Sequence, residues 1–314
     1  MILLKQMTIL FILMMVGFVC KKKSLITDEG SRVISALVVN VANPALILSA
    51  SINKDSVITG IDLLFVAGLS LLVYVFLLIV SIAMVKVLRV NSEDAGTYKV
   101  MTAFSNIGFM GFPLVSAAYG SDALLYASFF LIPYNVLIYT WGIQAMSSKG
   151  RDKDDNIKSE KKTGIAWDKI FNIGVIACIL TIIIYLTQIR VPEFIENSVA
   201  HLSNLTAPLS MIIIGASMAM MNIKELVTDK KLILFALIKQ IAIPIVGIVI
   251  LKMLGLEKDM LGVCLVMLAT PVGSMTAMLA QQYDGDYELA SKGVALTTVM
   301  SVVTIPLVSL IVGL

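Results

Sequence analysis

The chain has 314 residues, of which 58% are hydrophobic and 14% are charged, and its mean hydropathy is +0.94. Because soluble domains carry roughly 25% charged residues, this composition excludes an ordinary soluble protein and favours one embedded in a lipid bilayer. The net charge of +3 gives no reason to expect nucleic acid as a partner. The three cysteines and the single histidine lack metal-site or disulfide-framework spacing, so we expect neither a metal nor a cofactor.

The first apolar segment, residues 2–20, is followed at once by Lys21, Lys22 and Lys23. A secretory signal carries its positive cluster before the apolar core rather than after it. The pattern therefore predicts a retained first membrane span whose C-terminal end lies in the cytoplasm.

Apolar segments of membrane-spanning length recur along the chain. They lie at about 2–20, 31–52, 61–85, 97–119, 122–146, 167–189, 195–221, 231–254, 260–281 and 287–314. Eighteen lysines and arginines lie in the segments that follow spans 1, 3, 5, 7 and 9, which share one side of the membrane. Five lie on the opposite side. Since positive residues mark the cytoplasmic side, we predict a multi-pass protein of the cell membrane with both termini extracytoplasmic.

The fourth segment is apolar but contains residues that disrupt a helix. Residues 100–119 carry no charged side chain, yet Asn106, Gly108, Gly111 and Pro113 fall within eight residues. Proline removes an N–H donor and clashes one turn back, and glycine lowers the cost of non-helical backbone. Unwound backbone inside a membrane is tolerated only where it is buried in protein or lines a wet cavity. We therefore predict a broken helix whose half-helix end can meet a solute, rather than a simple proline kink.

The long polar stretch at 147–166 mixes both signs of charge and is poor in apolar residues. It predicts a flexible cytoplasmic linker. The linker divides the chain into a first five-helix repeat at 1–146 and a second at 167–314.

Two short patterns recur at an offset of 164 residues. Asn-x-x-x-Pro occurs at 40–44 and 204–208, and Tyr-x-x-Asp occurs at 119–122 and 283–286. Because each repeat has five spans, an odd number, the second copy enters the membrane from the opposite side. Inverted repeats of this kind are typical of secondary transporters.

The same offset carries Asn106 to Thr270 and Ile107 to Pro271, so a second break is predicted in span 9. The sequence thus predicts an all-α integral membrane fold of ten transmembrane helices. These form two inverted five-helix repeats with broken crossover helices at spans 4 and 9.

Six stretches resemble the auxin efflux carrier family, which includes plant auxin carriers and bacterial malate or malonate permeases. They are NVANPALILSA (40–50), SNIGFMGFPLVSAAYG (105–120), YNVLIYTWG (134–142), APLSMIIIGASMA (207–219), LIKQIAIPI (237–245) and ATPVGSMTAMLAQQYDGDYELAS (269–291). The resemblance implies a scaffold of helices 1, 2, 6 and 7 and a mobile unit that moves like an elevator. It also implies, for the plant relatives, a homodimer formed through the scaffold. The linker is shorter than the long loop of many plant carriers, so regulation by phosphorylation is not carried over.

Candidate substrate contacts are the polar, glycine and proline positions inside the apolar spans. They are Asn106, Gly111, Pro113, Thr270, Pro271, Lys239, Asn43 and Asn135. Asn106 offers amide donors for a substrate carboxylate, and the two prolines shape half-helix starts whose free N–H groups suit an anion. For Asn106, a structural role in which the amide ties loose backbone carbonyls together is the alternative. For Thr270, bonding to its own backbone is an alternative, and for Asn43 and Asn135, helix–helix hydrogen bonding is an alternative.

Lys239 is a basic residue well inside a predicted span, where an ionisable group is expensive. Three interpretations remain open. It attracts an anionic substrate, it is a fixed cation that replaces a coupling ion, or it snorkels to the cytoplasmic interface.

We therefore predict a secondary carrier for small organic anions such as malate or other carboxylates. The absence of a GxxxxGK[ST] motif excludes direct driving by ATP. The alternatives are a membrane sensor or scaffold with a transporter fold, and a sodium-coupled organic-anion symporter. An intramembrane enzyme is not expected, because Asp284 and Asp286 fall in a predicted loop and no HExxH motif is present.

Overall fold

The structure is a computed structural model that describes residues 2–52, 60–147, 172–220, 228–283 and 285–314. Within these ranges nearly the whole chain is helical, and the one extended pairing is a bridge between Ser105 and Val272. The prediction of an all-helical protein is confirmed. The predicted linker lies outside the described residues from position 148 onward.

Twelve helices follow in chain order within the described ranges. They are α1 (Ile2–Lys22), α2 (Asp28–Leu48), α3 (Gly60–Val87), α4 (Ser92–Ala103), α5 (Ile107–Gly120), α6 (Asp122–Met146), α7 (Ile173–Thr187), α8 (Glu193–Met218), α9 (Lys230–Lys252), α10 (Lys258–Ala269), α11 (Ser274–Gln282) and α12 (Tyr287–Val312). Seven of those described, α1, α2, α3, α6, α8, α9 and α12, are long and apolar enough to cross a membrane. The protein is therefore an all-α integral membrane protein.

The outer surface of the helix assembly is apolar, as the interior is. Leu64 and Ile79 of α3 and Leu310 of α12 each expose more than 60% of their surface. A helix that is hydrophobic all round is typical of a membrane span, because its outer face meets lipid instead of water. The exposed leucines and isoleucines therefore mark the lipid-facing side of these helices.

α1 and α8 pack with their backbones in direct contact. A Cβ atom added at Gly17 would lie 2.0 Å from the carbonyl oxygen of Ile212, and one added at Gly215 would lie 1.8 Å from that of Met14. Each helix thus presents a glycine to the backbone of the other. Close approach through small residues is the usual way in which membrane helices gain van der Waals contact.

α2 and α8 are distorted at the two Asn-x-x-x-Pro motifs. α2 widens into a π-helical turn at Val38–Ala42, just before Pro44, and α8 is interrupted after Ser203, before Pro208. Proline lacks an N–H group, and its ring clashes with the carbonyl four residues earlier. The shared motif therefore produces a local distortion in both helices.

Two helices are interrupted at the positions predicted for the breaks, between α4 and α5 and between α10 and α11. The two interrupted segments lie side by side and antiparallel. The Asn106 N–H donates to the Pro271 carbonyl at 2.7 Å, and the Gly273 N–H donates to the Phe104 carbonyl at 3.0 Å. Each break thus satisfies part of the backbone of the other.

The predicted offset of 164 residues does not hold at the breaks. α4 ends at Ala103 and α10 ends at Ala269, which is 166 residues later. Across the two breaks, Asn106 pairs with Pro271 and Phe104 pairs with Gly273.

The close contact between α1 and α8 predicts the effect of adding one methyl group. Gly215→Ala should lower the thermal unfolding temperature in detergent by several degrees, because overpacking costs ~1–3 kcal/mol. Gly68→Ala is the matched control, since a Cβ at Gly68 of α3 would meet nothing within 4 Å. Equal unfolding temperatures for the two variants would contradict the packing described here.

Candidate functional site

Asn106 lies at the start of α5, where its side chain caps the helix. Its Oδ1 accepts a hydrogen bond from the Phe109 N–H at 3.3 Å. Pro113 directly follows the π-helical turn Ile107–Gly111, and this wider turn accommodates a residue that lacks an N–H group. The Asn106 side chain is 4% exposed, and its Nδ2 group has no hydrogen-bond partner in the part of the chain that the structure describes. The amide donors are therefore buried but have no acceptor among the described residues, and we call such polar groups open.

Asn43 of α2 lies beside the first break. Its Nδ2 atom is 3.5 Å from the place that a Cβ atom at Gly108 would take, so a glycine at this position permits the approach. Asn43 is buried, and its Oδ1 has no partner among the described residues. The structure thus brings together Asn43 and the Asn106 segment, which the sequence had selected separately.

The other sequence candidates have structural contacts. Thr270 donates to the carbonyl of Met267 in its own helix, and Gly111 faces the Met267 side chain. Asn135 donates to Leu131 and accepts from Asn172 at 2.6 Å, a bond that ties α6 to the start of α7. Bonding within or between helices therefore accounts for the polar groups of Thr270 and Asn135.

Lys239 reaches the place where the two breaks pair, at Ser105 and Val272, which we call the crossing. It lies in a π-helical turn of α9, Ile238–Ala242, and is 0% exposed. Its Nζ donates to Ser105 Oγ at 2.7 Å and to the Leu268 carbonyl, in the last turn of α10, at 3.4 Å. Snorkelling to the membrane interface is therefore the wrong interpretation. The ammonium instead lies at a helix C-terminus, where the helix dipole favours a cation.

Gln240 and Thr297 hold the second break, and sequence reasoning missed both. Gln240 Nε2 donates to the Thr297 carbonyl at 2.7 Å, and Gln240 Oε1 accepts from Thr304. The hydroxyl of Thr297 accepts from the Val272 N–H at 3.0 Å and donates to the Gly293 carbonyl. The position of Gln240 beside Lys239 was a usable signal. Nothing in the sequence separates Thr297 from its neighbour Thr298.

The electrostatics of the crossing differ on its two sides. α5 and α11 begin here, so their N-termini favour an anion, while α4 and α10 end here and favour a cation. The ammonium of Lys239 lies beside the end of α10, which is one of the two ends that favour a cation. In the described ranges, no group of three or more His, Cys, Asp or Glu could hold a metal ion. The arrangement is therefore suited to an anion.

Similarity to known proteins identifies the family. The family described as Membrane transport protein matches residues 2–309, almost the whole chain. The chain belongs to this family. The match confirms the resemblance to the auxin efflux carriers, and it makes the protein a membrane transporter rather than an enzyme.

Two archaeal relatives of this transporter are similar over nearly their full length. "Uncharacterized transporter MJ1031" of Methanocaldococcus jannaschii is 25% identical over 311 residues, which cover 95% of each chain. "Uncharacterized transporter" of Methanothermobacter thermautotrophicus is 22% identical over 302 residues, which cover 96% of this chain and 95% of the relative. Both names are in accord with the family.

The bond between Val272 and Thr297 predicts a local effect of one substitution in this transporter. Thr297→Val removes the acceptor, so the Val272 amide should exchange with deuterium roughly fivefold faster, as expected for losing ~1 kcal/mol. Thr298→Val is the control, because Thr298 is also buried but bonds only within its own helix. Thr297→Ser should restore protection, and equal exchange in both valine variants would refute the role of Thr297.

Proposed function

We propose that the protein is a secondary active carrier that moves small organic anions across the cell membrane by an elevator-like mechanism. The observation that carries the proposal is the open amide of Asn106 at the crossing of two broken helices. Hydrogen-bond donors, two half-helix N-termini and one lysine converge there. A carboxylate satisfies donors of this kind, because it accepts several hydrogen bonds and neutralises a nearby cation.

The proposed architecture has ten spans. In addition to the seven long helices, α4 with α5 and α10 with α11 make two broken spans, and α7 makes the tenth. The repeats comprise 1–146 and 167–314 and are inverted, with both termini extracytoplasmic. Support comes from the two interrupted segments that pair at Ser105 and Val272 and from the distorted Asn-x-x-x-Pro helices.

The proposed division into a fixed scaffold and a moving unit has a basis in packing. α1 and α8, which belong to the scaffold, meet through glycines with no room to slide. The crossing, in the moving unit, is held instead by hydrogen bonds from α9 and α12. Movement between these units would expose the Asn106 region to each side of the membrane in turn.

A sodium-coupled symporter is less well supported than a carrier without a coupling ion. In coupled carriers, backbone carbonyls at half-helix C-termini coordinate sodium. Here the Lys239 ammonium already donates to the Leu268 carbonyl at such a C-terminus. We therefore propose that Lys239 is a fixed cation that takes the place of a coupling ion.

Uptake into proteoliposomes tests the proposal directly. Radiolabelled acetate, succinate and malate are offered with sodium, pH and voltage gradients imposed separately. We expect saturable uptake of at least one acid, and Asn106→Ala should weaken its binding about ten- to a hundredfold, since a hydrogen bond to a charged group contributes ~1.5–3 kcal/mol. Asn40→Ala is the control, because the exposed Asn40 amide bonds only within α2.

The outcomes of this experiment are distinct. Binding without net uptake would favour a sensor with a transporter fold. Stimulation by a sodium gradient would favour the symporter. Unchanged kinetics in Asn106→Ala would remove Asn106 from the site.

The fixed cation predicts how transport responds to voltage. With Lys239 charged, a bound monoanion is compensated, and the empty moving unit carries one positive charge. One charge that crosses the full field at 100 mV changes the energy by ~2.3 kcal/mol. Lys239→Gln should therefore lower the uptake rate and alter its voltage dependence.

Two further variants control this measurement. Lys239→Arg should rescue transport only in part, because the planar guanidinium is larger than the ammonium. Lys252→Gln removes a lysine at the end of the same helix, where its Nζ donates to the Val312 carbonyl, and should leave the voltage dependence unchanged. Wild-type rates and voltage dependence in Lys239→Gln would refute the fixed cation.

A further inference from the structure

Two buried hydroxyl groups of α8 lack the hydrogen bond that other helical hydroxyls make. Ser128, Thr298 and Ser301 each donate to a carbonyl three or four residues earlier in their own helix. Thr206 and Ser210, which are 1% and 0% exposed, have no partner for their hydroxyls within the described ranges. A buried hydroxyl without a partner costs stability, so its presence needs another explanation.

The direction of the two hydroxyls follows from the contact between α8 and α1. Ile212 and Gly215 face α1, since their backbones are the ones that meet Gly17 and Met14. At 100° per residue, Thr206 and Ser210 lie about 150–170° around the helix axis from that face. The two hydroxyls therefore point away from α1.

The first break packs against the same segment of α8. The segment Thr206–Met218 packs on the turn Ile107–Gly111, which Asn106 caps, and on Val38–Ala42, the turn that precedes Asn43. Besides α1, this segment of α8 thus contacts both turns and the first part of α2, Asp28–Leu37. Two open hydroxyls on one side and the open Asn106 amide on the other are all hydrogen-bond donors.

We propose that Thr206 and Ser210 form the scaffold wall of the anion site and donate hydrogen bonds to the substrate carboxylate opposite Asn106. Residues four apart on a helix have Cβ atoms ~5–6 Å apart, which allows both hydroxyls to reach one carboxylate. This inference rests on the proposed transport of organic anions. It adds a contact from the fixed scaffold to the contact from the moving unit. The substrate is therefore bound by both units when the Asn106 region lies beside α8.

The test exploits opposite effects on binding and on stability. Ser210→Ala and Thr206→Val remove hydroxyls that have no partner in the ligand-free protein. Their unfolding temperatures without ligand should therefore equal or exceed that of the wild type. The same variants should raise the KM for whichever of acetate, succinate and malate the wild type carries, by about tenfold each. They should also reduce the stabilisation that this acid gives in a thermal unfolding assay.

Ser203→Ala is the matched control on the same helix. Ser203 is also buried, but its hydroxyl donates to the Ala200 carbonyl, so its loss should leave KM unchanged. Thr206→Ser keeps the hydroxyl and should retain wild-type affinity. Wild-type KM values in both Ser210→Ala and Thr206→Val would overturn this inference and leave anion transport standing. Absence of uptake and of thermal stabilisation by any acid in the wild type would overturn both.

Discussion

A membrane offers no water to an interrupted helix, so broken backbone must find its partners within the protein. The two breaks meet this constraint by pairing with each other, through the bonds from Asn106 to Pro271 and from Gly273 to Phe104. A third partner comes from a side chain, the Thr297 hydroxyl on α12. The pairing brings four half-helix ends into one place. The proposal of an anion site rests on which of those ends are N-termini and which already have a cation beside them.

The polar groups around the crossing fall into two sets, one whose members have hydrogen-bond partners and one whose members have none. Gln240 and Thr297 have their partners, and they fix the geometry of the second break. Asn43 Oδ1, Asn106 Nδ2 and the hydroxyls of Thr206 and Ser210 are buried and have none in the described part of the chain. A buried polar group left unpaired costs ~1–3 kcal/mol, so a packing core would not be expected to retain four of them. They lie on or beside segments that contact one another, since Thr206–Met218 of α8 packs on Ile107–Gly111 and on Val38–Ala42.

Much of the fold could be predicted because it depends on local properties of the chain. Composition predicted an all-helical membrane protein, and Pro113 with its neighbouring glycines predicted the first break, since these residues act on their own backbone. The offset placed the second break at Thr270 and Pro271, inside the interruption between Ala269 and Ser274. It did not predict which residues pair across the breaks, where Asn106 meets Pro271 and Phe104 meets Gly273. That pairing depends on how the two segments lie in space, which an offset along the chain does not contain.

The sequence by itself determined the class of protein, the family and the residues that interrupt the helices. Only the tertiary structure decided which partners these residues meet. The depth of Lys239 in its span could be counted along the chain, but its bond to Ser105 depends on how α9 is rotated against the crossing. Thr297 and Thr298 are chemically identical neighbours, and only one of them faces Val272. Helix rotation and packing are set by contacts between distant segments, and no local pattern of residues encodes them.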